Sequence, residues 1–159
     1  MDISYFQRSA FAELRNTVGQ KFPETGGLLF GDRQGSKSYV VQKFHFDRTS
    51  HNTNFSYTPD TKAINLMISD IWHNERLALI GWCHSHPRGV SRLSEDFGNG
   101  NGDLGYIRKI FQAIPALSKF LVPIVYSSFD GGDFEIFPYI VERKYPLIPV
   151  LSQIEIVDG

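Results

Sequence analysis

Apolar positions along the chain fall into segments of two periods, and the order of those segments outlines a fold. Phe11, Leu14 and Val18 recur at spacings of three and four, which predicts a helix over residues 9–18. Residues 26–30 and 39–46 read as strands joined by the polar turn Asp32-Arg-Gln-Gly-Ser. A polar stretch over residues 49–54 reads as a loop. Phe55-Ser-Tyr57 and Pro59 follow, and the fixed φ of proline suits the first turn of a helix. Ile64, Ile68, Ile71 and Trp72 line one face of that helix, which ends near Arg76. Residues 77–83 form a short apolar run of the kind found in buried strands, and Pro87 stops it by removing a ladder donor. Leu104, Ile107, Ile110, Phe111 and Ile114 return to helical spacing, with Asp103 as N-cap or first-turn residue. Residues 120–127 and 134–141 then read as strands around the hairpin signal Phe129-Asp-Gly-Gly-Asp. Residues 148–157 either add an edge strand or dock loosely. With no repeat and no linker, the pattern predicts one α+β domain over residues 1–159, a mixed sheet flanked by helices.

Composition narrows the class. A chain of 159 residues falls in the single-domain range and can bury a substantial core. Apolar residues at 42% with thirteen phenylalanines argue against disorder. One cysteine excludes an intrachain disulfide framework and accords with a reducing compartment, so a cytoplasmic location is expected. No signal peptide is recognisable, and no apolar run approaches the roughly 18 residues of a membrane span. A net charge of −1 makes nucleic acid an unsuitable main partner.

Candidate chemistry centres on Gly81-Trp-Cys-His84-Ser-His86-Pro87. Strand side chains repeat every second position, so His84 and His86 share a face at a strand tip while Ser85 points the other way. Two such histidines can address one metal ion, which then needs a third ligand, commonly a carboxylate. Asp96 and Asp103 are the candidates. Asp103 is favoured because a helix start holds a carboxylate more rigidly than a loop does. Each residue also has a plainer reading. His-x-His pairs are often only partly buried or surface histidines, and two further polar residues near glycine-rich stretches, Glu24 before the strand at 26–30 and Ser94 ahead of Asp103, read by themselves as a solvated loop residue and a turn residue. Cys83 alternates away from the histidines and reads as a small buried hydrophobe. His45, His51 and His73 show no partner spacing and read as surface or structural.

Three segments taken together carry a resemblance: Phe22-Pro-Glu24-Thr-Gly-Gly-Leu-Leu-Phe-Gly31, His84-Ser-His86-Pro87, and Leu93-Ser94 leading to Asp103-Leu104. In order and local context they resemble the JAB/MPN family, in particular its zinc metallopeptidases with a JAMM motif. That pattern is a glutamate before a Gly-Leu-Leu-x-Gly strand, then His-Ser/Thr-His-Pro, then a serine and an aspartate. The family places its aspartate three positions after the serine, whereas eight residues separate Ser94 from Asp103 here. The departure reads either as a glycine- and asparagine-rich insertion or as Asp96 taking the ligand role one residue short.

The resemblance implies a single MPN/JAB domain of cytidine deaminase-like fold. It implies one zinc ion held by His84, His86 and Asp103, with a water at the open position made acidic near neutral pH. Glu24 would be the general base and Ser94 a hydrogen-bond donor to the oxyanion. The implied reaction is cleavage after the C-terminal glycine of a ubiquitin-like protein, from conjugates or a precursor, with E1/E2-like conjugation proteins as further partners. Residues 88–92 and 97–102 would flank the channel for the substrate tail. Two alternatives stand beside it: a non-catalytic MPN scaffold, and a JAB hydrolase acting on a sulfur-carrier protein.

Overall fold

The computed structural model describes residues 2–33, 38–48, 51–52, 57–58, 61–96 and 102–158. In chain order the elements are β1 (Ile3–Gln7), α1 (Arg8–Asn16), β2 (Gly26–Gly31), β3 (Val40–Phe46), β4 (His51–Asn52), β5 (Tyr57–Thr58), α2 (Thr61–Glu75), β6 (Ala78–Ser85), α3 (Asp103–Ala113), β7 (Lys119–Tyr126), β8 (Glu135–Glu142), β9 (Pro149–Leu151) and β10 (Gln153–Val157). One mixed sheet runs β10-β1-β3-β2-β6-β7-β8-β9, and β4 pairs with β5 apart from it. Three helices flank the sheet among the described residues, the α+β arrangement that the pattern predicts.

The two strands that carry the site lie side by side in the middle of this order. β2 is buried throughout, and β6 is buried from Leu79 onward. Such strands are covered on both faces, which is why they read as continuous apolar runs. β2 pairs antiparallel with β6 in a register that sets Gly26 against His84. β6 pairs parallel with β7, with His84 beside Ile124. Gly27 has a steric reason: a Cβ there would meet the His45 carbonyl and the Phe44 ring on β3. Without a side chain at that point β2 and β3 can close up.

Several elements differ from their sequence expectation. The pattern assigned nothing to residues 3–7, yet β1 forms there, buries Phe6, and lies parallel to β10 and β3. α1 ends at Asn16 rather than at residue 18, and Val18–Gln20 is a separate 3-10 turn. The Thr17 hydroxyl donates back to the Glu13 carbonyl at that break. Within the polar stretch read as a loop, His51–Asn52 pairs with Tyr57–Thr58. Pro59 and residues 34–36 of the expected turn lie outside the described residues. On α2, Ile64 and Ile71 are buried, but Trp72 is 46% exposed with the Arg76 guanidinium over its ring, so it lies off the core face.

The C-terminal segment does more than add one edge. β9 pairs antiparallel with β8, and β10 pairs parallel with β1 at the opposite end of the order. Only Ser152 lies between them, so the sheet must bend until its two ends meet at that residue. Ser152 is buried, its hydroxyl bonds the Pro138 carbonyl and the Ser4 hydroxyl, and the next amide, Gln153 N–H, donates to Asp2. Arg143 donates to the carbonyls of Phe111, Ile114 and Leu117, satisfying acceptors at and just beyond the end of α3. No helix among the described residues is long and apolar enough to cross a membrane.

Candidate metal centre

Strand alternation puts Trp82 and His84 on one face of β6, where their rings stack 4.3 Å apart and 12° from parallel. Tyr106 of α3 packs on the same indole at 4.8 Å, so α3 covers this face and brings its N-terminus to the strand tip. His86 lies one residue beyond the strand end, where its backbone N–H still donates to Val125 of β7. Its Nδ1 stands 3.0 Å from the Val90 carbonyl. A carbonyl can only accept, so Nδ1 carries a proton, and Nε2 has a lone pair for the pocket whenever the ring is neutral. The turn that delivers Val90 is fastened to β7 and the β7–β8 connection. Gly89 N–H donates to the Tyr126 hydroxyl, and Arg88 reaches Asp130 and the carbonyls of Ser127 and Asp133.

Asp103 enters from α3 as a first-turn residue, with Gly102 at φ 79° before it. A left-handed φ of that size favours glycine. Asp103 and Ser94 clasp each other: Asp103 N–H donates to Ser94 Oγ at 2.7 Å, and Ser94 N–H donates to Asp103 Oδ2 at 2.8 Å. Leu104 N–H adds a bond to the Ser94 carbonyl. Ser94 thus caps α3 from outside the helix and closes the base of the intervening segment, of which residues 97–101 lie outside the described residues. The Asp103 oxygens lie 3.1 Å from His84 Nε2 and 3.5 Å from His86 Nε2, and the two nitrogens are 2.8 Å apart. Asp96 lies elsewhere, accepting from Arg108 at 2.6 Å.

Burial lowers the proton affinity of His84, against the opposing pull of Asp103. Burial acts the same way on His86, but hydrogen bonding and charge from Asp103, with Glu24 and the Val90 carbonyl, outweigh it and raise its pKa. Burial would push Asp103 up, yet both histidines and the Ser94 amide hold it far below the usual carboxylate range. On the opposite face burial pushes the Cys83 thiol up, which leaves it a small buried hydrophobe. Tyr106 is pushed up to about 12 by burial and by Asp47.

Glu24 is half-buried and close enough to His86 for its charge to act there. Register explains the placement: antiparallel pairing of Gly26 with His84 and Thr25 with Ser85 leaves Glu24 across from His86. Two contacts at the site were not legible in the pattern. The Val90 carbonyl is backbone and has no residue signature. Ser85 faces away from the ligands, as alternation requires, but its hydroxyl bonds the Thr25 backbone. Trp82 could have been found from the period of two that relates it to His84.

A divalent metal fits these residues. Two imidazole nitrogens 2.8 Å apart with both lone pairs bare would repel, so a proton or a cation must lie between them and the carboxylate. All three donor atoms fall within 4.8 Å of one another, and a His, His, Asp donor set is one that zinc accepts.

No curated protein matches the chain. The solution structure of protein DSY2949 from Desulfitobacterium hafniense is similar with a TM-score of 0.66 at 16% identity, covering 99% of this chain and 94% of that one. That likeness is one of fold. Residues 8–96 match the family described as prokaryotic homologs of the JAB domain. The matched stretch includes Glu24, His84, His86 and Ser94, and ends before Asp103. Since it spans more than half of the sequence, the chain belongs to the prokaryotic homologs of the JAB domain.

Proposed function

We propose that this chain is a zinc-dependent peptidase or isopeptidase that cleaves after the C-terminal glycine of a ubiquitin-like protein, from conjugates or from a precursor. The observation that carries the reading is the convergence of His84, His86 and Asp103 within ligand distance, with the charge of Glu24 bearing on the same pocket. A bound zinc ion would supply Lewis acidity, making water a nucleophile near neutral pH and polarising the scissile carbonyl. Glu24 takes the proton of the attacking water on its carboxylate and returns it to the departing amine. The Ser94 hydroxyl, whose oxygen already accepts from Asp103 N–H, turns its own hydrogen toward the developing oxyanion. The Val90 carbonyl holds the His86 ring by the nitrogen that faces away from the donor cluster, so that this ring need not reorganise as charge develops.

A ubiquitin-like protein, free or conjugated, is the partner this reading takes from the family resemblance, with E1/E2-like proteins where conjugation is involved. A sulfur-carrier protein ending in glycine would serve the same residues. A scaffold would have no use for two histidines and an aspartate converging within ligand distance. The test is cleavage of a ubiquitin-like fusion extended beyond its terminal Gly-Gly by the zinc-loaded chain and by Glu24→Gln. Cleavage after the glycine by wild type, lowered on the order of 10²–10⁴-fold in Glu24→Gln with zinc retained, is the expected result. Equal rates in the two proteins would remove Glu24 from the mechanism.

A further inference from the structure

The pairing of β2 with β6 changes character at its end, beside Glu24. Ser85 N–H donates to the Thr25 carbonyl at 2.8 Å, as an antiparallel ladder demands. The return bond does not go from Thr25 N–H to the Ser85 carbonyl: Thr25 N–H donates instead to Ser85 Oγ at 3.0 Å. The same hydroxyl leans back on the Thr25 carbonyl at 3.4 Å. Both polar groups of the Thr25 backbone are therefore held by one residue, which is fully buried and lies between the two histidines. The next residue toward the N-terminus is Glu24. Its Cα direction is set by the peptide unit whose N–H Ser85 holds.

We propose that Ser85 is a positioning residue: its hydroxyl takes the place of a backbone acceptor and so fixes the Glu24–Thr25 peptide and the aim of the Glu24 carboxylate at the ligand pair. This rests on the reading of Glu24 as proton acceptor. An ordinary ladder bond would tie Thr25 to the Ser85 carbonyl and leave the strand end free to fray. The side-chain bond gives the strand that carries the ligands direct control over the strand that carries the base. A misplacement of about 1 Å at a reacting group can cost on the order of 10²-fold in rate, so a single buried hydroxyl suffices to matter. The hydroxyl touches neither ligand face, and its removal leaves the donor set intact.

The test compares wild type with Ser85→Ala, Ser85→Cys and Ser85→Thr, each loaded with zinc. Cysteine keeps most of the buried volume but replaces the hydroxyl by a weak acceptor, which guards against a folding defect in the alanine variant. Expected are unchanged zinc content, kcat lowered about 10²-fold with KM near wild type in the alanine and cysteine variants, and recovery in threonine. Two readouts do not depend on turnover. Thr25 amide exchange should quicken in both variants, and in cobalt-loaded protein the paramagnetic relaxation of the Glu24 side chain should weaken. Wild-type kcat in folded Ser85→Ala and Ser85→Cys, or unaltered Thr25 exchange, overturns the proposal. If wild type cleaves no fusion, the hydrolase reading falls, and unchanged Glu24 relaxation in the variants then overturns the positioning role independently.

Discussion

Asp103 meets three demands at once. It starts α3, it receives the Ser94 amide, and it offers one oxygen to each histidine. Its depressed pKa has a consequence for the metal-free protein. A carboxyl held below its unfolded value of 3.8 contributes stability that is present above that pH and lost as pH falls through and beneath it. His86, raised above 6.5, contributes in the opposite sense, with stability complete below that pH and lost as pH rises through its folded value. His84, lowered by burial, favours the fold only while neutral. Urea unfolding of chelator-treated protein should therefore show the midpoint dropping between about pH 5 and pH 3, and Asp103→Asn should flatten that drop. A wild-type slope in Asp103→Asn would mean that other carboxyls carry it. The His-x-His pair and the favoured aspartate could be picked out from residue type and spacing, whereas Glu24 came only with the family resemblance. The Val90 carbonyl and the second bond of Ser85 could not, because one is backbone and the other runs opposite to the face on which alternation puts the chemistry.

At the scale of elements, the site is a meeting of a strand tip, a helix start and a turn, and each junction has its own fastening. Ser94 caps α3 across the sequence gap. Ser94→Ala should cost about 1 kcal/mol of stability by urea titration, as loss of a helix cap does, and should also slow turnover. A slowed rate with no stability change would assign Ser94 to chemistry alone. The Arg88 guanidinium holds the turn that presents the Val90 carbonyl, and a Cβ at Gly132 would strike it. Arg88→Ala should weaken zinc affinity by about 10–100-fold in competition with a chelator, the scale of lost outer-shell support. Unchanged affinity would show that the turn holds His86 without it. Strands β2, β3, β6, β7 and β8 were legible because their apolar runs are bounded by glycine, proline or turn residues. The exposure of Trp72 was not, because helical spacing gives an apolar stripe without giving the rotation of the helix against the sheet.

Across the whole molecule the first and last strands of the chain pair with each other, and Ser152 links that pair to β8. β1 has five register partners on β10 and only two on β3, so its hold depends on the C-terminal strand. That dependence explains why β1 and β10 could not be read as separate strands from the pattern: each exists through parallel pairing with a segment about 150 positions away. The donor set buries two histidines and a carboxylate with their ligating atoms turned toward one another, an arrangement built to hold a cation. Zinc bound per chain, measured in wild type, Asp103→Ala and Asp96→Ala, tests it most directly. About one zinc is expected in wild type and in Asp96→Ala, and far less in Asp103→Ala. Zinc lost with Asp96 and kept without Asp103, or no zinc in wild type even when it is supplied, would contradict it.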